Sequence, residues 1–216
     1  REARRQLDSL EKGPRPLREQ QGLDFQRAYC AQALGDHPAA LAALRRLQHA
    51  CPDLEDYRLF WLSRSLEETS DPQGATAQYE ALLAAGQHPA LLGETRLRLA
   101  ELCLKQGQRP RALELYGQLL EAPQAPTALA RLAQLDEKSE TARQHRLRLL
   151  REYPTHALAL EAAGQAPASA SAEETYARAL VYFSHQHHGQ AGQLLEALLA
   201  SEPKPPLRTE ARLLLG

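Results

Sequence analysis

The chain has 216 residues, of which 26 are basic and 27 acidic, so its net charge is −1 at neutral pH. This balance gives no electrostatic reason to expect nucleic acid or an anionic membrane as a partner. Valine occurs once, at Val181, and isoleucine is absent. Because strands favour β-branched residues, the composition predicts an all-α fold. No long uninterrupted apolar run is present, so we expect no membrane span.

Helical periodicity and helix-breaking residues alternate along the chain. We expect an N-terminal helix and linker in residues 1–22, helical repeats in 23–163, a linker in 164–171 and further repeats in 172–216. Each repeat has a helix, a short turn, a second helix and a break that contains proline. The first helices are predicted around residues 23–34, 54–69, 90–106, 125–138 and 172–186. The last unit, "PPLRTEARLLLG", lacks its second helix, so we expect a longer parent protein truncated in mid-repeat.

A small residue near the start of each second helix aligns the repeats. The small residues are Ala40, Ala75, Ala112, Ala142 and Ala191; Leu44, Tyr79, Tyr116, Arg146 and Leu195 follow four positions later, and Leu47, Leu82, Leu119, Leu149 and Leu198 three positions after those. Two antiparallel helices need a small residue where their backbones approach most closely. The interval of roughly 30 to 50 residues is of tetratricopeptide repeat (TPR) size and predicts an α-solenoid of stacked TPR-like helical hairpins. An ordinary helical bundle is the alternative.

The residues that could carry chemistry form no catalytic or metal-binding pattern. His185, His187 and His188 share a turn, but no Cys or carboxylate accompanies them locally, so we interpret them as solvated. The sequence "SAEE" predicts a capping box, with Ser171 as N-cap and Glu174 at N3. No glycine-rich phosphate loop and no Gly-x-Ser-x-Gly motif occur. We therefore expect no catalytic residue, no metal and no cofactor in this chain.

The stretch "CPDLEDYRLFWLSRSLEE", residues 51–68, is rich in aromatic residues although these make up only 5% of the chain. Tyr57, Phe60 and Trp61 span about one helical turn. One interpretation places all three in the core, and the alternative exposes one of them on a binding surface. Candidate binding residues on the predicted first helices are Tyr57, Arg58, Trp61, Arg96, Arg131 and Arg178. The balanced net charge predicts that such arginines bind weakly and with salt sensitivity.

Several segments resemble the superhelical part of bacterial soluble lytic murein transglycosylases. The first is "ACPDLEDYRLFWLSRSLEE", which is similar to the segment that opens that superhelix. Similar segments follow in "AQYEALLAAGQHPALLGETRLRLAELCLKQGQRPRALELYGQLL", "RLLREYPTHALALEA" and "SAEETYARALVYF", so the resemblance covers roughly residues 23 to 216. The resemblance implies an α-superhelical scaffold in a periplasmic enzyme that cleaves the MurNAc–GlcNAc bond of peptidoglycan to an anhydro product.

The catalytic residue of that family cannot be placed in this sequence. The family's catalytic Glu is followed by Ser, and the chain contains no Glu-Ser pair. If the resemblance holds, this chain is the non-catalytic scaffold, and its partner is peptidoglycan or another protein. The second function class is a free-standing TPR-like adaptor that binds a protein or peptide, in the periplasm or the cytoplasm. Neither class includes nucleic acid as a partner.

Overall fold

The computed structural model describes residue 2 and residues 17–47, 54–136, 139–165 and 170–215. Of these described residues, 81% lie in helices and none lies in a strand. The all-α prediction is therefore confirmed for the described part of the chain. Most of the predicted segment 1–22 lies outside it, as does the middle of the predicted linker 164–171.

The described residues form twelve helices. They are α1 (Leu17–Ala33), α2 (His37–Arg46), α3 (Glu55–Glu68), α4 (Pro72–Ala85), α5 (Pro89–Lys105), α6 (Arg109–Gly117), α7 (Ala125–Leu135), α8 (Glu140–Glu152), α9 (Ala157–Gln165), α10 (Ala172–Ser184), α11 (His188–Ala200) and α12 (Pro205–Leu215). The chain divides into two compact units, Arg1–Leu115 and Tyr116–Gly216. Helix α1 begins before residue 23, where the sequence pattern started the first repeat.

Helices that follow one another in the chain pack against one another within each unit. In the first unit, α1 packs on α2, α2 on α3, α3 on α4 and α4 on α5. In the second unit, α7 pairs with α8 and α10 pairs with α11, while α12 packs against α10 and α11. Helix α9 packs against α7, α8 and α10. The predicted TPR-like hairpins are thus present in each unit.

Four of the turns within hairpins share one backbone conformation. Each has a residue with a left-handed φ, and the next N–H donates to the carbonyl oxygen five residues earlier, which is the hydrogen bond of a Schellman motif. The left-handed residues are Gly35 (φ 70°), Ser70 (φ 63°), Gly107 (φ 76°) and Gln186 (φ 63°). The hydrogen bonds are Asp36 to Ala31 (2.9 Å), Asp71 to Leu66 (2.9 Å), Gln108 to Cys103 (2.8 Å) and His187 to Tyr182 (2.8 Å). The repeated turn therefore reverses the chain direction in the same way between the first and second helix of each of these hairpins.

The alanines that align the repeats lie in the core, as the sequence predicted. Ala40, Ala75, Ala112, Ala142 and Ala191 are each at most 2% exposed. The residues four and seven positions later are buried as well, with Tyr79, Leu82, Tyr116, Leu119 and Leu149 completely enclosed. Because the alanine has only a methyl group, the two helices can approach closely there, and the longer side chains fill the space one turn later.

A buried ion pair replaces an apolar contact in the second unit. Arg146 occupies the position at which other repeats have Leu or Tyr, and its Nε donates to Glu174 Oε1 at 2.8 Å. The two residues are 9% and 2% exposed. The capping box predicted at "SAEE" is therefore only half right. Ser171 Oγ accepts the Glu174 N–H at 3.2 Å, as an N-cap should, but the Glu174 carboxylate pairs with α8 and does not turn back to the cap.

Replacement of a buried alanine by leucine tests the close approach of the helices. We expect Ala112→Leu to lower the free energy of unfolding by roughly 1–3 kcal/mol, because the larger side chain overpacks an enclosed site. Ala42→Leu is the matched control, because Ala42 lies exposed on α2 and has room for the change. Urea titrations of both variants give the comparison, and equal stability of the two would contradict the proposed close approach.

Removal of one member of the buried ion pair tests how much the pair between Arg146 and Glu174 contributes to the stability of the second unit. We expect Glu174→Ala to destabilise the chain by about 3–5 kcal/mol, because Arg146 is then left buried without its counter-ion. The double variant Arg146→Leu/Glu174→Ala should recover most of that loss, since leucine stands at the equivalent position in other repeats. Thermal melts of the single and double variants measure both effects. A double variant no more stable than Glu174→Ala would show that the pair itself holds α8 to α10.

Candidate functional site

Four aromatic rings and one imidazole form a cluster on the first unit, which we call the aromatic face: Phe25, Tyr29, Tyr57, Trp61 and His88. Trp61 lies at its centre. Its ring centroid is 5.0 Å from that of Phe25, 5.6 Å from Tyr29 and 6.2 Å from Tyr57. The rings are tilted against one another by 32° to 62°, within the range that aromatic pairs prefer.

Helix periodicity places these side chains on one surface. Phe25 and Tyr29 are four residues apart on α1, and Tyr57 and Trp61 are four residues apart on α3, so each pair lies along one side of its helix. The Gln32 side chain fastens α1 to α3, because its Nε2 donates to the Trp61 carbonyl oxygen at 2.8 Å and to Ser65 Oγ. The first helices of two consecutive hairpins therefore share one aromatic stripe.

Two polar contacts bring His88 to the edge of the aromatic face. Asp56 Oδ2 accepts the backbone N–H groups of Gln87 at 2.7 Å and His88 at 2.9 Å, which fixes the start of α5 beside the first turn of α3. The Tyr57 hydroxyl lies 3.2 Å from His88 Nε2, and the two rings meet edge to face at 5.2 Å. Tyr57 and His88 thus join the third hairpin to the cluster.

The three aromatic residues singled out in the sequence have different environments. Phe60 is buried and packs against Tyr79, with ring centroids 6.4 Å apart. Tyr57 and Trp61 are half-buried, and Tyr29 beside them is 59% exposed. Phe60 therefore belongs to the core, as the first interpretation had it, while Tyr57 and Trp61 are half-buried and match neither the fully buried nor the exposed interpretation. Phe25, Tyr29 and His88 were not predicted from the sequence, although the four-residue spacing of Phe25 and Tyr29 in "FQRAY" was a visible signal.

The candidate arginines differ from the exposed cationic residues that the sequence suggested. Arg58 is buried and makes a two-pronged ion pair with Glu55, at 2.7 Å through Nε and 2.6 Å through Nη2. Arg178, in the second unit, donates through Nε to the Ala163 carbonyl oxygen at 2.9 Å and so caps the last turn of α9. Both guanidinium groups are used within the fold, because burial of a cation requires a compensating acceptor.

The other two candidate arginines lie on α5 and α7. Arg96 is half-buried on α5 in the first unit. Arg131 is exposed on α7 in the second unit, where its Nη1 donates to Gln134 Oε1 at 3.2 Å. Of the six predicted binding residues, only Tyr57 and Trp61 lie on the aromatic face. A binding role for the arginines stays a prediction.

A network of hydrogen bonds and ion pairs ties α3, on which Tyr57 and Trp61 lie, to its neighbours. The buried Tyr79 of α4 donates its hydroxyl to Glu67 Oε2 of α3 at 2.7 Å. Arg98 of α5 lies 3.6 Å from the same carboxylate and donates to Glu94 at 2.9 Å. Burial raises the pKa of Tyr79 far above its usual value of 10.0, and the adjacent Glu67 carboxylate raises it further. The phenol therefore stays protonated and keeps its hydrogen bond over the whole neutral range.

The histidine turn of the second unit is built from packing contacts. His187 stacks on Tyr182 at 6.1 Å, and His188 meets Phe183 edge to face at 5.2 Å. Among the described residues, no group of three or more His, Cys, Asp or Glu side chains is placed to hold a metal ion.

No helix in the described ranges has both the length and the apolar character needed to cross a membrane.

Comparison with known proteins supports the assignment of this chain as a helical repeat protein. Residues 23–53 match the tetratricopeptide repeat family model. A tetratricopeptide repeat protein from Parabacteroides merdae has a similar structure, with a TM-score of 0.50, 18% identity and coverage of 92% of this chain and 74% of that chain. The TPR-like repeats of a putative kinesin light chain from Podosopora anserina match with a TM-score of 0.43 and 20% identity, covering 88% of this chain and 97% of theirs.

No curated protein matches the chain in a sequence search. At these identities, the structural matches show the fold alone. The chain is therefore a TPR-like helical repeat protein. The family model and the Parabacteroides merdae structure both describe tetratricopeptide repeat proteins, and neither links the chain to a lytic transglycosylase.

The hydrogen bond between Tyr79 and Glu67 yields a prediction with a distinct pH dependence. We expect Tyr79→Phe to lower the free energy of unfolding at pH 7 by about 1.5–3 kcal/mol, because a buried bond to a charged acceptor is lost. The folded-state pKa of Tyr79 is raised, so its contribution is fully present below about pH 10 and is lost as the pH rises further. The difference between wild type and variant should therefore narrow above about pH 10.

Urea titrations at a series of pH values measure this difference. Tyr29→Phe is the control, because the Tyr29 side chain is largely exposed and loses only a hydroxyl group that faces water. A constant difference between wild type and Tyr79→Phe from pH 7 to strongly alkaline pH would contradict the assigned hydrogen bond.

Proposed function

We propose that the chain is a scaffold for protein–protein interaction and that the aromatic face binds a segment of a partner protein. One observation carries the proposal: Tyr29 is 59% exposed and lies 5.6 Å from the half-buried Trp61, at the centre of a ring cluster that spans three hairpins. Exposed clusters of large apolar side chains are uncommon on monomeric proteins unless they bind something. Tyrosine and tryptophan are also the residue types most enriched at interaction hot spots.

The TPR-like fold supports the same proposal. Helical repeats present side chains from successive hairpins on a common surface, and such surfaces are suited to extended partners. Here α1, α3 and the start of α5 contribute to one cluster. A partner segment would therefore contact residues from several repeats at once.

The charges next to the aromatic face are largely neutralised within the fold. Asp24 pairs with Arg46 at 3.1 Å and with Arg27 at 3.4 Å, and Asp56 is occupied by backbone N–H groups. Contact with the partner then depends on the rings more than on ionic attraction. We accordingly expect an affinity that changes little with salt, whereas the sequence alone favoured weak, salt-sensitive binding by arginines.

A second, finer proposal comes from the sequence segments that resemble lytic transglycosylases. In that proposal, the chain is the non-catalytic scaffold of a periplasmic peptidoglycan-cleaving enzyme, and glycan or peptide stems are its ligands; the alternative location is the cytoplasm. Its support is the resemblance of the segments quoted above. A titration of the chain with solubilised glycan strands separates the two proposals. The peptidoglycan scaffold predicts a saturable binding signal with glycan, and the protein–protein interaction scaffold predicts none.

Selection from a random peptide library displayed on phage tests the proposed binding site. We expect peptides selected on the wild-type chain to lose roughly tenfold or more in affinity on Tyr29→Ala, because truncation of a hot-spot aromatic residue costs this much or more. The same peptides should bind Phe183→Ala with unchanged affinity. Phe183 is the matched control, since it is also an exposed aromatic side chain but lies on α10 in the second unit.

Far-UV circular dichroism of both variants checks that they are folded before the affinities are compared. Failure to select any peptide, or selected peptides that bind Tyr29→Ala as tightly as wild type, would refute the aromatic face as the binding surface.

A further inference from the structure

We propose that the partner segment is proline-rich and binds the aromatic face in the extended polyproline II conformation. This inference rests on the proposed function, because it names the chemistry of the segment that the same surface would take. The observations that carry it are the arrangement of the rings and the hydrogen-bond donors left unused beside them.

The shape of the aromatic face is complementary to proline rings. Trp61 meets Tyr29 at 47° and Tyr57 at 62°, so the surface between the rings is ridged and not flat. Polyproline II helices dock their pyrrolidine rings between the aromatic side chains of such grooves. Trp61 lies 5.6 Å from Tyr29 and 6.2 Å from Tyr57. One polyproline II turn of three residues is about 9 Å long, so a single turn is long enough to contact two neighbouring rings of the cluster.

The unused polar groups of this surface are donors. Neither the Trp61 indole N–H nor the Tyr29 hydroxyl has a hydrogen-bond partner among the residues that the structure describes. Arg64 follows Trp61 by three residues on α3 and is half-buried; its side chain makes no hydrogen bond or ion pair within the described ranges, although its charge also acts on the Tyr79 hydroxyl of α4. Its five N–H groups add further donors to the same side of the helix.

A proline-rich segment is electrostatically complementary to such a surface. Each proline has a carbonyl acceptor and no N–H, and the polyproline II conformation leaves those carbonyls without internal partners. Donors on the protein can therefore be satisfied without leaving a donor of the ligand unpaired. An amphipathic helix offers few free backbone acceptors, because all but its last four carbonyls are already bonded along its own axis. Strand addition requires an open sheet edge, and the described residues contain no strand.

The test uses the single tryptophan of the chain as the reporter. An acetylated and amidated decaproline peptide is titrated while the Trp61 emission is followed, with a Gly-Ser peptide of equal length as the control for chain length. We expect a saturable change in emission with decaproline and none with the Gly-Ser peptide. Calorimetry should show that Tyr29→Ala weakens the decaproline affinity roughly tenfold or more, whereas Phe183→Ala leaves it unchanged.

Two further variants separate the rings from the donors. We expect Tyr29→Phe and Arg64→Leu each to weaken decaproline binding by roughly threefold to tenfold, since each removes donors but keeps an apolar surface. Circular dichroism and melting curves confirm that the variants are folded. Decaproline affinities unchanged in both variants would overturn the donor argument and with it the proposed ligand.

The outcomes distinguish this inference from the proposed function. Library peptides that depend on Tyr29 but contain no proline, or that bind as amphipathic helices, overturn the proline-rich ligand and leave the binding site in place. The absence of any peptide that depends on Tyr29 overturns both. Tyr29-dependent peptides with two prolines about one polyproline II turn apart support both.

Discussion

The close approach of two helices at a buried alanine is the constraint on which the rest of the structure depends. In five hairpins an alanine near the start of the second helix is at most 2% exposed, and longer side chains fill the core one and two turns later. A larger residue at these positions would push the helices apart. The approach, together with the repeated Schellman turn, sets the position of each first helix relative to its partner. That placement is what allows Phe25 and Tyr29 on α1 to meet Trp61 on α3.

Polar contacts then fix details that packing alone would leave open. Gln32 joins α1 to α3, Asp56 holds the start of α5, and Tyr79 binds Glu67 beneath Phe60. The Gln32 amide nitrogen, the Asp56 carboxylate and the Tyr79 hydroxyl each have a partner, whereas the buried Gln32 Oε1 has none among the described residues. The carboxylates of Asp24 and Asp56 near the aromatic face are matched in the same way, which leaves the rings and a few N–H and O–H donors, including those of Arg64, as the chemistry that this surface offers. A surface of this kind selects partners by shape and hydrogen bonding and not by net charge.

The sequence predicted those features that depend on short-range periodicity. The alanine positions and the N-cap at Ser171 follow from spacings of a few residues along the chain. Contacts between hairpins could not be predicted from the sequence, because they depend on the relative positions of helices that are far apart in the chain. The pairing of Glu174 with Arg146, 28 residues apart, required the relative position of α8 and α10. Arg58 was wrongly treated as an available cation, although Glu55 three residues earlier on the same helix neutralises it and that spacing is visible in the sequence. Tyr29 was missed because its partner Trp61 lies in the next repeat.

The central claim is that the alanine contact positions the aromatic face, and the emission spectrum of Trp61 tests it most directly. Ala75 lies at the contact in the hairpin α3–α4, while Ala84 is exposed on the same helix α4. In Ala75→Leu, under conditions where the chain is still folded, the account predicts a red-shifted and broadened emission, because α3 moves and Trp61 gains contact with water. In Ala84→Leu the spectrum should equal that of the wild type. Identical spectra for wild type and Ala75→Leu would contradict the account, since the aromatic face would then not depend on the close approach of the helices.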